Sequence, residues 1–170
     1  MSVLLFGVKS VKYGTAATGS NMPSGAALTS LPNTVKGTVS IEEGAGTTSK
    51  FFVDQKSSPI KVIKTEEGEV TASMQFYDLT FATVAALKGG TGNASGYTPA
   101  TGFNLIELAL EIELDSVGPG GVNHKLQMYN ASIEAHLTGG GGRDSMFALE
   151  MNAIPQLTSD ETGSWKISSI

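Results

Sequence analysis

Three glutamates of one predicted strand are the residues whose spacing could support catalysis. Glu107, Glu111 and Glu113 alternate with apolar residues within the stretch 103–115, and this period of two places them on one strand face. Neighbouring carboxylates can shift each other's pKa values and so supply a general acid and a general base. They lack a nearby aromatic platform for a substrate, and three like charges are more typical of a solvated or repulsive wall. We therefore predict that the chain is not an enzyme, with this cluster as the alternative active site.

The two histidines have the wrong spacing for a shared metal site. His124 and His136 are twelve residues apart on one predicted strand, which separates them by about 40 Å in an extended chain. The chain has no cysteine, which excludes disulfides, thiolate metal sites and cysteine nucleophiles. No nucleophile-elbow sequence supports a Ser–His–acid triad. We expect no metal, no cofactor and no catalytic nucleophile.

Glycine-rich segments do not match nucleotide-binding motifs in this chain. The stretch 89–102 follows a predicted helix instead of preceding one, and no Gly-Lys-Ser/Thr sequence is present. Gly90, Gly92 and Gly96 lack the dinucleotide spacing. The net charge of −5 argues against binding to a phosphate backbone, which needs a surplus of Lys and Arg.

The stretch 69–90 is the element around which the other segments must be arranged. Its first half alternates apolar and polar residues, which predicts a strand with one buried face. Asp78 is the predicted N-cap of a helix over 78–88, and Gly89 is the predicted left-handed cap at its end. The helix is short and apolar almost all round, so it must be held between layers or against a neighbouring subunit.

The rest of the chain reads as strands and glycine-rich turns. Predicted strands cover 2–13, 35–41, 51–54, 60–64, 103–115, 125–137 and 147–153, with a final edge strand at Trp165 and Ile167. A helix is the competing interpretation of 103–115. Segments 42–48, 89–102, 117–122 and 139–144 are predicted loops or turns, Pro155 is predicted to end its strand, and 14–32 is a flexible loop or arm. Eight to ten strands and one helix predict a single mainly β domain over 1–170, an antiparallel two-sheet sandwich or barrel.

The low charge of the chain favours a protein packed against copies of itself. Charged residues make up 16%, against about 25% in typical soluble domains. An ordinary Gly/Ser/Thr-rich β-protein explains the composition equally well. No secretory signal or membrane span is predicted, so we expect the protein in the cytoplasm of the cell that makes it, or in a particle assembled there.

The order of these segments resembles that of phage tail tube proteins. The matching stretches are 35–63, 69–90, 125–137 and 145–154, and the resemblance covers roughly residues 35–155. Tail tube (major tail) proteins are related to the inner-tube proteins of contractile injection systems. The resemblance implies two packed β-sheets flanked by a helix, and hexameric rings that stack into a hollow tube for genome passage. It also implies a structural protein of the virion tail, assembled in the bacterial cytoplasm.

The same resemblance implies roles for particular residues. The loops 14–32, 42–58 and 89–102 would contact other subunits, and the candidate assembly residues are Glu42, Glu43, Thr47, Thr48, Phe51, Pro59 and Tyr97. Glu107, Glu111 and Glu113 are candidates for a lumen wall that repels passing DNA without specific binding. Exposure of these glutamates on the outer surface, or their burial in salt bridges, would count against that role. The expected partners are copies of the chain and other tail proteins, with no membrane.

Two other classes remain open from the sequence. Another β-sandwich virion protein, such as a head decoration or tail terminator protein, would share the composition but form a trimer or a single ring. A carbohydrate- or peptide-binding module would need an exposed aromatic patch, for which the candidates are Tyr77, Tyr97 and Trp165.

Overall fold

The protein is mainly β, as the sequence predicts. The computed structural model describes residues 5–52, 54, 57–66, 68–102, 105–116, 123–139 and 148–170. Over these ranges it has twelve strands, β1 Leu5–Thr15, β2 Thr29–Ser30, β3 Ser40–Glu43, β4 Thr48–Phe51, β5 Lys61–Lys64, β6 Val70–Phe76, β7 Thr91–Asn93, β8 Gly96–Thr98, β9 Ile106–Ser116, β10 His124–Thr138, β11 Ala148–Gln156 and β12 Trp165–Ser169. The single α-helix of these ranges, α1, spans Phe81–Lys88.

Eight of the strands form one antiparallel sheet. Its order is β2-β1-β9-β10-β11-β6-β3, and β12 pairs with β10. The long strand β10 joins the parts of the sheet, because its first half pairs with β12 and its second half with β11. A bulge between Met128 and Ala131 interrupts its pairing with β9. The alternation of 125–137 predicts Tyr129 on the same face as Ala131 and Ile133, and this prediction is wrong. Because of the bulge, Tyr129 leaves that row, and a Cβ added at Gly163 would touch its ring.

One face of this sheet encloses the hydrophobic core. In β6 every second residue is buried, which is the expected consequence of period-2 alternation with one face turned to the hydrophobic core. The same pattern holds in β9, where Leu110 and Ile112 are fully buried and the glutamates alternate with them. The strand prediction for 103–115 is therefore confirmed over β9, and the helix alternative is wrong.

The helix begins three residues later than predicted. Thr80 is its N-cap, and the Thr83 N–H donates to the Thr80 hydroxyl at 3.2 Å. Asp78 precedes the cap with a φ of 57°, in the left-handed region. The prediction of Asp78 as N-cap is thus wrong, because the chain turns at Asp78 before the helix starts. The prediction for Gly89 is confirmed: it ends the helix with a φ of 80° and donates its N–H to the carbonyl of Ala85.

Two predicted loops contain more structure than expected. Residues 89–102 include the hairpin β7–β8, and the Tyr97 hydroxyl in β8 donates to the Gly89 carbonyl at 2.8 Å. The segment 14–32 is folded back on the sheet and is not a free arm. Within it the Ala17 N–H donates to the Tyr129 carbonyl, and Leu31 is buried.

The predicted strand 35–41 is shorter than expected. A turn closed by the Thr38 N–H and the Val35 carbonyl interrupts it, with Gly37 at a φ of 80°. Strand β3 begins only after this turn, at Ser40. In β11 the prediction that Pro155 ends the strand is wrong, because the strand continues to Gln156. Strand β6 no longer pairs with β11 beyond Ala153, so the missing N–H of Pro155 is tolerated there.

Several predictions concern residues outside the described ranges. These are Ser2–Leu4 of the first predicted strand, Val53 in the short strand 51–54, the start of the strand at Phe103, the turn 117–122, most of the turn 139–144, and Phe147. The edge strand at Trp165 and Ile167 is confirmed as β12.

Candidate assembly surface

A long two-stranded ribbon runs from the sheet into solvent. Its inner half is the pair β3–β6, with Glu43 opposite Val70. Its outer half is the pair β4–β5, with Thr48 opposite Lys64 and Phe51 opposite Lys61. We call residues 48–64 the outer hairpin.

The outer hairpin exposes Phe, Val and Ile side chains, which are residue types that form the core elsewhere in the chain. All eight residues of β4 and β5 are exposed. Five large apolar side chains are between 38% and 57% exposed: Phe51, Phe52, Ile60, Val62 and Ile63. An isolated two-stranded hairpin is at best marginally stable in water. This surface therefore has the composition of one that is covered by a partner.

Both faces of the outer hairpin are apolar. Directly opposed residues of an antiparallel pair lie on the same face, and faces alternate along each strand. One face therefore carries Phe51, Ile63 and Lys61. The other face carries Val62 and Lys50. A single flat contact would cover only one face, so the hairpin suits a site that encloses it.

The charge of the outer hairpin is opposite to that of the remaining chain. Residues 48–64 contain four lysines and one aspartate, a net charge of +3. Because the whole chain carries −5, the remainder carries −8. A basic hairpin on an acidic body is electrostatically complementary to another copy of the same chain.

Glycines at the base of the hairpin allow its two backbones to approach closely. The Gly44 N–H donates to the Glu69 carbonyl at 2.8 Å, and the Thr65 N–H donates to the Thr47 carbonyl at 2.8 Å. A Cβ added to Gly68 would overlap the carbonyl oxygen of Gly44. Glycine is required wherever two backbones come this close.

The structure brings most of the predicted assembly residues together on this ribbon. Glu42 and Glu43 lie in β3, Thr47 at the base, Thr48 and Phe51 in β4, and Pro59 is exposed near the tip. Tyr97 lies elsewhere, beside the end of α1, and uses its hydroxyl within the chain. Ile60, Val62 and Ile63 were predicted as strand residues but not as assembly residues.

The three glutamates of β9 do not form an unpaired acidic wall. Glu113 accepts from Lys9 at 2.7 Å, and this hydrogen bond is the main reason its pKa lies below the ordinary value. The same bond raises the pKa of Lys9. Glu111 lies 3.4 Å from the Lys125 ammonium and accepts from Gln127. Lysines of the same chain therefore offset the negative charges of Glu111 and Glu113, and this pairing counts against a role for these two residues in repelling DNA. Glu107 is exposed.

The two histidines lie near opposite ends of β10, which agrees with the separation expected from their spacing. His136 lies 3.4 Å from the Glu150 carboxylate, and His124 is at the opposite end of β10. In the part of the chain that the structure describes, no group of three or more His, Asp or Glu residues is arranged to hold a metal ion. No helix of that part has the length and apolar character of a membrane span.

No protein-family model matches this chain, and no curated protein matches its sequence.

Proposed function

We propose that this chain is a structural subunit that assembles with copies of itself through the outer hairpin, in hexameric rings stacked into a phage tail tube. The observation that carries the proposal is the outer hairpin: exposed, apolar on both faces, and basic on an acidic body. The sequence resemblance supplies the particular assembly, and the mainly antiparallel β fold with one packed helix agrees with it.

The size of the exposed surface favours assembly through several contacts at once. A fully buried large side chain contributes about 1.5–3 kcal/mol, so five half-exposed ones contribute roughly 5 kcal/mol in total. Bringing two proteins together costs about 4–15 kcal/mol. One hairpin contact therefore offsets only the lower end of this cost. A closed ring, in which every subunit both gives and receives a hairpin, adds contacts without adding subunits.

Strand edges offer a second set of contacts. Among the described residues, β3 ends the sheet on one side, and β12 pairs with β10 alone. Unpaired edges are templates for strands of another chain. Neighbouring subunits can pair there and remove these edges from solvent.

In this role the chain is not an enzyme and needs no cofactor. Its partners are copies of itself and other tail proteins, with no membrane, and DNA passes through the tube without specific binding. It acts in the virion tail, after assembly in the cytoplasm of the bacterial host. Glu111 and Glu113 stabilise the sheet in this proposal and do not line the lumen.

The test compares the wild type with a variant that lacks the outer hairpin. Replacing residues 48–64 by Asn-Gly joins Thr47 to Thr65 through a two-residue turn and keeps β3 intact; removal of 42–58 would cut into β3. Light scattering and negative-stain electron microscopy over a concentration series should show six-fold rings or tubes for the wild type and folded monomers for the variant. Tubes from the variant would refute the role of the hairpin. A stable wild-type trimer would favour a head decoration protein instead.

A further inference from the structure

A small apolar pocket lies beside the start of α1. Its volume is about 310 Å³, and it is lined by Phe76, Asp78, Leu79, Phe81, Val84, Tyr97, Leu137, Ala148 and Leu149. The floor is core, because Phe76 and Leu149 are fully buried. The rim is open, because Phe81 and Leu137 are nearly half exposed. The pocket has the size and lining to receive one aromatic side chain.

Asp78 is the single charged residue that lines this pocket. It is exposed, and its left-handed backbone conformation is uncommon for a residue other than glycine. The helix does not use its carboxylate, since Thr80 is the N-cap.

We propose that this pocket receives Phe51 of a second copy of the chain, with Lys61 of that copy against Asp78. The inference rests on the proposed self-assembly and names the acceptor for the outer hairpin. Phe51 and Lys61 are directly opposed in the hairpin register, so they project side by side from one face. An apolar pocket with a carboxylate at its rim is complementary to such a pair.

The other large clefts fit the hairpin less well. One of about 730 Å³ between the end of α1 and β10 is lined by Lys88 and His136 as well as Glu134. Another of about 660 Å³, near the start of β3, has Lys36 as its single charged lining residue. Lys36 would repel the lysines of the hairpin, and in the first cleft Lys88 offsets the attraction of Glu134. Asp78 attracts these lysines with no lysine or arginine beside it in the pocket lining.

The charges also set the symmetry of the contact. Two outer hairpins would place lysines against lysines, which disfavours a two-fold contact between hairpins. A hairpin in the pocket of the next copy is a heterologous contact. Such contacts repeat head to tail, and they give rings when the rotation closes and filaments when it does not.

The test uses one variant without the donor and one without the acceptor. Phe51→Ser removes the inserted ring, and Asp78→Lys places a cation at the pocket rim. Each variant alone should need about tenfold or more higher concentration to assemble than the wild type, by light scattering. Their equimolar mixture should associate at a lower concentration than either variant alone, because one intact hairpin still meets one intact pocket. Glu161→Lys is the matched control, since Glu161 is an exposed acid with the same φ of 57° outside the pocket lining.

Disulfide trapping gives an independent readout, because the chain has no native cysteine. Mixed Ser49→Cys and Phe81→Cys chains should form a cross-linked heterodimer under mild oxidation, well above a Ser49→Cys and Leu157→Cys mixture. Ser49 lies on the same hairpin face as Phe51, so the inserted ring is kept. A wild type that assembles while Asp78→Lys assembles equally well would overturn the acceptor assignment alone. A wild type that stays monomeric, with no cross-link above the control, would overturn the proposed self-assembly together with the acceptor.

Discussion

Strands β5 and β6 are neighbours in sequence and lie in one continuous ribbon, yet their surroundings are opposite. In β6 every second residue is at most 6% exposed, because β3 and β11 pair with it and its inward side chains pack in the hydrophobic core. In β5 Val62 remains 53% exposed, because β4 is its one partner among the described strands. The fold of the single chain accounts for β6 and leaves β5 without cover. Stability and assembly should therefore depend on different parts of one ribbon.

The same substitution in the two regions should separate these properties most strongly. Phe76→Ala removes a fully buried ring from β6 and should reduce the free energy of unfolding by about 3–5 kcal/mol. Phe51→Ala removes a half-exposed ring from the outer hairpin and should change it by less than about 0.5 kcal/mol. Chemical denaturation and light scattering on both variants measure stability and assembly. Equal destabilisation by the two changes would show that the hairpin is part of the core.

At the junction between the outer hairpin and β6, Gly68 should not be replaceable by a residue with a Cβ without loss of stability. Gly68→Ala places a Cβ against the Gly44 carbonyl, so the ribbon must shift, and we expect a loss of about 1–3 kcal/mol together with impaired assembly. Gly25→Ala is the control, because a Cβ there meets no atom within 4 Å. Thermal unfolding compares the two variants. A Gly68→Ala protein as stable and as assembled as the control would contradict the close approach.

Two residues in the turn before α1 should also affect stability and assembly separately, with smaller effects. Thr80→Ala removes the N-cap hydroxyl and should cost about 1 kcal/mol in the free energy of unfolding. Asp78→Ala removes a carboxylate that the helix does not use, so it should leave stability nearly unchanged and weaken assembly. Denaturation midpoints of both variants check this contrast. A larger stability loss for Asp78→Ala would return the capping role to Asp78.

The ion pair between β1 and β9 should give the smallest effect on stability, and the size of this effect depends on pH. Because the pKa of Glu113 is lowered in the folded protein, its contribution is present above the ordinary carboxyl pKa and is lost as pH falls through the folded-state value. The raised pKa of Lys9 extends the pair to alkaline pH. Glu113→Gln should lose about 0.2–1 kcal/mol between about pH 6 and pH 9. The difference in the free energy of unfolding between the two proteins should shrink as the pH falls below the ordinary carboxyl pKa; a pH-independent difference would refute the ion-pair assignment.

Strands whose apolar and polar residues alternate over many positions could be predicted from the sequence. The segments 103–115 and 125–137 form β9 and β10 as predicted, because a buried face imposes period two on each continuous stretch of a strand, although the bulge in β10 shifts the alternation once. Short-range choices were harder. Asp78 and Thr80 are both good cap residues, and only the turn geometry selects Thr80. The turn at Gly37 likewise interrupts an alternation that continues through it in the sequence.

The candidate site was predictable in part. The sequence places Phe51 on an assembly loop but gives Val62 and Ile63 only as strand residues. Apolar alternation shows that a strand face is buried, but it does not show whether the same chain or a partner covers that face. The ion pairs of Glu111 and Glu113 were missed because they depend on strand register. Lys9 and Glu113 are 104 positions apart and meet only after β1 pairs with β9.

The most direct test of the account is the mass of the wild-type chain against that of the variant with residues 48–64 replaced by Asn-Gly. Both should unfold with similar free energies, since the outer hairpin contributes little to the core. Over a concentration series, multi-angle light scattering should show the wild type growing to hexamers and larger assemblies, while the variant stays monomeric. Wild type and variant of the same mass at every concentration would contradict assembly through the outer hairpin.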